Sequence, residues 1–484
     1  MPEFQPVIGL EVHVQLNTAT KMFCGCANRF GDPPNSNVCP VCLGLPGALP
    51  VPNAAAIESA VKAALYLNCS IAPFSKFDRK NYFYPDLPKA YQISQYDLPI
   101  GSHGYLDIQL DGSPRRIGVT RVHLEEDAGK LVHVPSASLV DLNRAGTPLL
   151  EIVSEPEIFS PDEAYAYLTS LRLLMSYLAI SDCNMEEGSL RCDANISLRP
   201  AASSALGTKV EIKNLNSFKS VQKALAYEIK RQSALLSAGT PILQETRLYD
   251  AAADKTSSMR SKEEAHDYRY FPDPDLVPMT FSPEYIAALR AALPESPAHR
   301  AHRFVSAFGL TPYDAAVLTS QRPLADYFEA TLAAGAPAKA AANWICNNLL
   351  SALNQSSSSL AACKISPHHL AALIALVDSG SLSSTSAKND VFPAMFSSGA
   401  DPHTIVQQKG LAQISDTAQI DHWISHALDA NPDVIESLRK GKLKAAGKLV
   451  GTVMQLSRGK ANAALVSQRI AAFIKNQFDI DISP

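Results

Sequence analysis

The sequence predicts a multidomain α+β protein: an antiparallel, β-rich first part, then an all-α region, then a small helical tail. Three observations predict it. Several segments before residue 294 alternate apolar and polar residues with the period of a half-buried strand. Beyond Pro294 that alternation vanishes and Ala-rich segments of helical character take over. The chain has 484 residues, enough for about two to four cores, so the change of character reads as a change of domain.

The alternating segments also carry the chemistry. As a strand, Arg121-Val-His-Leu-Glu-Glu-Asp127 puts Arg121, His123, Glu125 and Asp127 on one face, with Val122 and Leu124 on the other. Ile8 to Leu16 sets Ile8, Leu10, Val12, Val14 and Leu16 against Glu11, His13 and Gln15. Arg191 to Leu198 sets Arg191, Asp193, Asn195 and Ser197 against Cys192, Ala194, Ile196 and Leu198, and Val210 to Lys213 is a shorter version. A solvated face of an antiparallel sheet accounts for alternation alone. It does not call for His, Glu and Asp close together. Converging carboxylates resist burial unless a cation or a shared proton relieves them, so these rows are candidates to line one site.

In chain order, Cys24-Gly-Cys26 and Cys39-Pro-Val-Cys42 come first. Two close pairs on turns suit a closed, tetrahedral structural zinc site, and four unliganded thiols are the alternative. Asn53 caps a helix from Ala54 to about Leu67. Lys76 to Tyr91 mixes cations, aromatic rings and prolines, cannot be one regular element, and suits phosphate or nucleic-acid contacts or a solvated loop. Gly101 to Val134 reads as a β-meander turning at Asp111-Gly112 and near Ala128-Gly129. A turn over Asp141 to Pro148 leads to the strand Leu149 to Val153, which carries Glu151. Ser160-Pro161 opens a helix to about Leu178, and Asn216 or Ser217 opens another to about Ser233. Arg247 to Pro274 reads as loop. Helical segments follow, among them Pro323 to Ala333 and Ala336 to Leu353, with a polar break over Gln355 to Ser359.

The last part, from about Gln407, has one marked charge feature. Arg439, Lys440, Lys442, Lys444, Lys448, Arg458, Lys460, Arg469 and Lys475 are uninterrupted by Asp or Glu. In a chain of net charge −4 that segregation points to a phosphate-backbone surface, with a solvated helix face as the alternative. The N-terminus lacks a secretory signal and no apolar run spans a bilayer, so a cytoplasmic protein is expected. There the nine cysteines stay reduced or metal-bound, and Cys69, Cys183, Cys192, Cys346 and Cys363 read as small core residues. No phosphate-binding glycine loop, dinucleotide fingerprint or nucleophile elbow occurs. The polar rows therefore favour hard-metal, phosphoryl-type chemistry.

Long strings of the chain resemble the B subunits of tRNA-dependent amidotransferases (GatCAB). They are Gly9-Leu-Glu-Val-His-Val-Gln-Leu16, Cys39-Pro-Val-Cys-Leu-Gly-Leu-Pro-Gly47, Lys80-Asn-Tyr-Phe-Tyr-Pro-Asp-Leu-Pro-Lys89, Tyr91-Gln-Ile-Ser-Gln95, His123-Leu-Glu-Glu-Asp-Ala-Gly-Lys130, Asp141-Leu-Asn-Arg-Ala-Gly-Thr-Pro-Leu-Leu-Glu-Ile-Val153, Arg191-Cys-Asp-Ala-Asn195 and Met259-Arg-Ser-Lys-Glu-Glu-Ala-His-Asp-Tyr-Arg-Tyr-Phe-Pro272. The resemblance is dense to about Pro278 and looser beyond, where Gly447 to Met454 and Gly459 to Asn462 are similar to the YqeY family. It implies a cradle catalytic domain over 1–293 with the zinc loop, a helical domain over 294–406 and a YqeY-like tRNA-binding tail over 407–484. The implied reaction uses ATP and magnesium to phosphorylate the side-chain carboxylate of Glu-tRNA(Gln) or Asp-tRNA(Asn). Ammonia from an amidase A subunit then displaces phosphate, and a small C subunit braces the pair. The mischarging aminoacyl-tRNA synthetase is a further implied partner, and a membrane is not. By resemblance Glu11, His13, Glu125, Glu151 and Asp193 hold magnesium, with Glu11, His13, Glu125 and Lys89 catalytic. Lys80, Arg260 and Lys262 neutralise charge at ATP, and Cys24, Cys26, Cys39 and Cys42 hold zinc. A non-catalytic tRNA-binding scaffold and a stand-alone metal-dependent ligase or nuclease are the rival readings.

Overall fold

Strand period decides the first element. Phe4–Gln15 (β1) sends Ile8, Leu10, Val12 and Val14 into the core and leaves Glu11, His13 and Gln15 half-buried on the other face. The computed structural model describes residues 4–110, 112–261, 267–414, 416–457 and 459–481, without the side chains of Arg260 and Ser261. Within these residues the chain divides into two compact units, Met1–Pro297 and Ala298–Pro484.

The remaining strands of the first unit are, in order, β2 (Ser70–Ile71), β3 (Phe74–Ser75), β4 (Asp78–Asn81), β5 (Tyr91–Ser94), β6 (Gly101–Leu110), β7 (Ser113–Glu126), β8 (Lys130–Val134), β9 (Ala137–Asp141), β10 (Pro148–Ser154), β11 (Leu190–Pro200), β12 (Val210–Lys213), β13 (Glu245–Asp250), β14 (Lys255–Ser261), β15 (Phe271–Pro272) and β16 (Met279–Thr280). Eight of them join β1 in one nine-stranded sheet, in the order β14-β13-β12-β11-β1-β10-β7-β6-β2. A smaller sheet, β15-β4-β5, packs against β7.

The helices α1 (Ala54–Tyr66), α2 (Pro161–Tyr177) and α3 (Phe218–Ser237) cover the apolar face of the large sheet, whose core joins Ile8, Val12, Val122, Leu124, Ile152, Tyr167, Leu171, Ile196 and Val221. Each helix opens on a side-chain cap. Asn53 accepts from the N–H groups of Ala55 and Ala56, Ser160 from Glu163 and Ser217 from Ser220. Glu163 also reaches back to accept from Phe159 N–H, the residue before the cap, at 2.7 Å.

Four local expectations change. The segment from Arg247, read as loop, contributes β13 and β14, a hairpin at the sheet edge. Among the described side chains of this hairpin only Thr246, Tyr249 and Thr256 are buried, too few to mark strands by apolar alternation. The sheet is not wholly antiparallel, because β12 and β13 run parallel with α3 as the crossover. The meander stops at β7: β8 pairs with β9 in a separate ribbon, and β10 takes the place beside β7. Helix α3 also runs on to Ser237, one turn past the expected end.

Among its described residues the second unit contains helices and no strand, with one isolated bridge between Ile414 and Ala461. One core gathers Phe304, Phe328, Trp344, Leu370 and Phe392, and another gathers Ile420, Ile424, Leu449, Val453 and Ile470. The helix from Ala338 to Gln355 is continuous but carries a π-type turn over Ile345–Leu349. No described helix is long and apolar enough to cross a membrane.

Candidate active site on the polar face of the sheet

Register assembles the site from five strands, β1, β7, β10, β11 and β12. His13 on β1 faces Glu151 on β10 and Arg191 on β11, and Glu151 faces His123 on β7. One pleat further, Glu11 faces Asp193 on β11. The rows read from separate segments are therefore neighbours on one surface.

Two groups of ligand atoms form there. His13, Glu125 and Glu151 each offer an atom within 4.8 Å of the other two. His13 Nε2 lies 3.3 Å from Glu151 Oε2 and 3.7 Å from Glu125 Oε1. Glu11, Asp193 and Glu211 form the second group with the same limit of 4.8 Å. Lys213 Nζ sits beside it, 2.7 Å from Asp193 Oδ2 and 3.1 Å from Glu211 Oε1. Asp127 is held apart from both by Gln15 Nε2 and Arg191 Nη2, each donating at 2.7 Å.

Charge in this surface is strongly coupled. Burial alone would raise the Glu151 carboxyl, but His123, His13 and Lys80 together hold it far below the usual carboxylate range. Burial, then the Glu151 charge, raises Glu11. Burial opposes a charge on His13, yet the Glu151 hydrogen bond and charge, with Glu125, raise its pKa. Burial likewise opposes charge on Lys80, and Glu125, Tyr270 and Glu151 overcome it. A surface that draws cations and protons to itself in this way suits a hard divalent cation, since oxygen-rich donors with one imidazole fit magnesium or manganese.

The other sequence candidates fall at several places. Lys80 Nζ stands 4.9 Å from the Tyr268 ring centroid, on the side of Glu125 and Glu151. Lys89 pairs with Glu126, and alternation along β7 sends Glu126 to the face opposite Glu125. The structure thus keeps Lys89 out of the His13 group. It lines a cavity of about 200 Å³ together with Glu126, Gly146, Cys24 and Cys42. Arg260 is paired to Thr246 through the backbone of the hairpin, its side chain lies outside the described residues, and so does Lys262 altogether. Cys24, Cys26, Cys39 and Cys42 bring their sulfurs within 4.8 Å of one another. The Cys24 thiol donates to Cys42, which with the Cys39 N–H and the nearby Lys21 pulls the Cys42 thiol well down, while burial pushes Cys26 up. Four converging sulfurs on a fixed loop fit a tetrahedral thiophilic ion.

The sequence places His123, Glu211 and Lys213 in the alternating rows but gives none of the three an individual ligand or catalytic role. His123 is buried, with Nε2 3.5 Å from Glu151 Oε2 and Nδ1 unpartnered among the described residues. The signal for all three is their place in alternating strands, and only the register shows which carboxylates they meet.

In the second unit the basic segment is partly neutralised in space. Lys440 pairs with Glu436, Lys448 with Asp433, Arg469 with Asp421 and Lys475 with Asp481. Arg439, Lys442, Lys444 and Lys460 are exposed, and Arg458 lies outside the described residues.

Residues 6–287 match the family model described as the GatB/GatE catalytic domain, and residues 326–474 match one described as the GatB domain. The chain is 55% identical over 473 residues to the B subunit of the aspartyl/glutamyl-tRNA(Asn/Gln) amidotransferase of Carboxydothermus hydrogenoformans, covering 97% of this chain and 98% of that relative. It is 55% identical over 477 residues to the B subunit of the same name from Geobacter sulfurreducens, with 98% and 99% covered. The one from Thermosynechococcus vestitus is 54% identical over 480 residues, with 97% and 96% covered.

Proposed function

The chain belongs to the GatB/GatE family, and from that premise we propose that it is the B subunit of a tRNA-dependent amidotransferase of the cytoplasm. It activates the side-chain carboxylate of tRNA-bound glutamate or aspartate with ATP. Ammonia delivered by an amidase subunit then replaces the phosphate, giving the amide. A small third subunit completes the assembly, and the mischarging synthetase hands over the substrate.

The observation that carries this reading is the convergence of His13, Glu125 and Glu151, with Glu11, Asp193 and Glu211 beside them, under Lys80. A carboxylate is a poor electrophile, and phosphorylation converts one of its oxygens into part of a leaving group. The carboxylate and the γ-phosphate are both anions, so their approach needs positive charge fixed in advance. His13, Glu125 and Glu151 would hold one magnesium ion, and Glu11, Asp193 and Glu211 a second. When bound, such ions supply that charge at the phosphoryl oxygens. Lys80, held over Tyr268, adds an ammonium on the same side. Lys213 balances Asp193 and Glu211 while no phosphate is near. His123, with Nε2 3.5 Å from Glu151 Oε2 and 3.9 Å from Glu125 Oε2, stands beside both carboxylates and helps to position them. Arg260 and Lys262 neutralise the phosphates of ATP, while Lys89, paired with Glu126, supports the end of β7 from the cavity on the other face. Cys24, Cys26, Cys39 and Cys42 hold a structural zinc ion outside the chemistry. Residues 1–293 form the catalytic cradle, 294–406 a helical domain, and 407–484 a tail whose exposed Arg439, Lys442, Lys444 and Lys460 bind the tRNA backbone.

Reconstitution with the two partner subunits tests the proposal by release of ADP. Mischarged tRNA should stimulate ATP cleavage, amide should form only with glutamine or ammonia present, and Glu125→Ala should abolish both. A complete complex that binds mischarged tRNA but never cleaves ATP would leave a tRNA-binding scaffold as the better reading.

A further inference from the structure

Lys21 has no surface in contact with solvent, which is unusual for a lysine. Its Nζ donates to the carbonyl of Asn37 at 2.7 Å and to the carbonyl of Leu142 at 3.2 Å, and lies 3.8 Å from Cys42 Sγ. Three acceptors match the three N–H donors of an ammonium group. No ion pair joins it to a carboxylate among the described residues, so its counter-charge has to come from the cysteine cluster. A buried ammonium without any counter-charge is costly. Four thiolates around one divalent ion leave two negative charges in excess, and Lys21 stands against one of those sulfurs.

The same side chain ties three segments together. Asn37 and Cys42 belong to the cysteine loop, and Leu142 begins the turn that leads into β10 and Glu151. Gly146 in that turn has φ of +84°, and a Cβ there would stand 3.5 Å from Lys21 Cδ, 3.7 Å from Cys42 Cβ and 3.9 Å from Glu126 Oε2. Met22 N–H donates to Gly146 O at 2.7 Å, and Gly146 N–H donates to Asp127 O at 2.9 Å. The cysteine loop, Lys21 and the Glu126–Asp127 end of β7 therefore meet with no side chain between them.

We infer that Lys21 is a positioning residue for the metal loop: its ammonium offsets thiolate charge at Cys42 and clamps the loop to the Leu142 turn, fixing the wall of the cavity that Lys89 and Glu126 share. This rests on the reading of the four cysteines as a zinc site. Partners beyond the ligands typically change metal retention by about 10- to 100-fold, which sets the size of the effect.

The test uses the full chain and zinc itself. Zinc content is measured for wild type, Lys21→Met, Lys21→Arg and Cys24→Ser, and the rate of zinc transfer to a chromogenic chelator is followed. Wild type should hold one zinc per chain, Lys21→Met should release it at least about tenfold faster, and Lys21→Arg should recover part of the retention. With cobalt in place of zinc, the thiolate-to-metal charge-transfer band should move to longer wavelength in Lys21→Met, because the sulfur loses its neighbouring cation. Should Lys21→Met fail to fold, amine acylation of wild type replaces it: Lys21 should be unreactive with zinc bound and become labelled once zinc is removed. Wild type without zinc after refolding in its presence overturns the zinc reading. Wild type with zinc, but equal release and an unshifted cobalt band in Lys21→Met, overturns the role of Lys21 alone, as does a Lys21 still protected after metal removal.

Discussion

Glu228→Gln removes one charge and almost no volume from a carboxylate on α3 that has no exposed surface. Oε1 accepts from Arg231 Nε at 2.9 Å, lies 3.1 Å from Arg247 Nε and accepts from Thr256 Oγ1 at 2.5 Å. Oε2 accepts from Arg231 Nη2 at 2.9 Å and Gln232 Nε2 at 3.0 Å. Those partners lie on α3, β13 and β14, so this carboxylate fastens the hairpin that carries Arg260. Leaving a buried partner unpaired costs about 3–5 kcal/mol. Arg247 keeps Glu245 at 2.6 Å and Arg231 keeps it at 3.7 Å, which reduces the expected loss to about 2–4 kcal/mol. Both tryptophans, Trp344 and Trp423, belong to the second unit, so their fluorescence does not report on this one. Amide hydrogen exchange of peptides spanning 245–261 does, and it should rise by roughly 30- to 1,000-fold.

The pH dependence of this difference has a definite sign. Burial raises the Glu228 carboxyl, but the hydrogen bonds of Arg231, Thr256 and Gln232 and the Arg231 charge outweigh it and lower the pKa. A lowered folded pKa stabilises above the unfolded value of about 4.3 and is lost as pH falls through the folded one. The gap between wild type and Glu228→Gln should therefore close below about pH 4. Unchanged exchange in the hairpin at neutral pH would show that this carboxylate does not fasten it.

Three further outcomes follow from the site. Glu151→Gln should weaken manganese binding, read by electron paramagnetic resonance, and lower ATP cleavage by about 10²–10³ while leaving mischarged tRNA bound. Cys42→Ser should lose zinc and raise hydrogen exchange across residues 24–42, yet reduce turnover by less than about tenfold, because a structural ion acts through the loop and not on phosphate. Truncation before Gln407 should raise KM for mischarged tRNA and flatten its salt dependence, with manganese binding unchanged; full tRNA-dependent activity in that truncation would contradict the tail assignment.

Strand alternation makes the core faces of β1, β7 and β11 readable, because period two separates Ile8, Val12, Val122 and Ile196 from the charged residues between them. It cannot reveal that the carboxylates divide into two groups. That division depends on which strands adjoin, and β10 reaches its place between β1 and β7 only through long-range pairing. Alternation does hold the clue to Lys89, since its partner Glu126 follows Glu125 and so must leave the strand on the other side. The β13–β14 hairpin is hidden because its anchor is polar, a buried Glu228 with two arginines, where strand recognition looks for apolar residues. Linear charge segregation in the tail is visible, but Asp421 and Asp433, on earlier helices, balance Arg469 and Lys448 only in three dimensions.

Phosphorylation of a side-chain carboxylate oxygen on the tRNA-bound amino acid is the step from which the roles assigned to the polar face of the sheet follow. Charging tRNA(Gln) with glutamate that carries ¹⁸O in its side-chain carboxyl makes that step visible in the phosphate released by the reconstituted complex. One ¹⁸O per phosphate, in step with amide formed, is expected, since the displaced phosphate keeps the oxygen it took. Unlabelled phosphate accompanying the same amount of amide would exclude the acyl phosphate and the roles built on it.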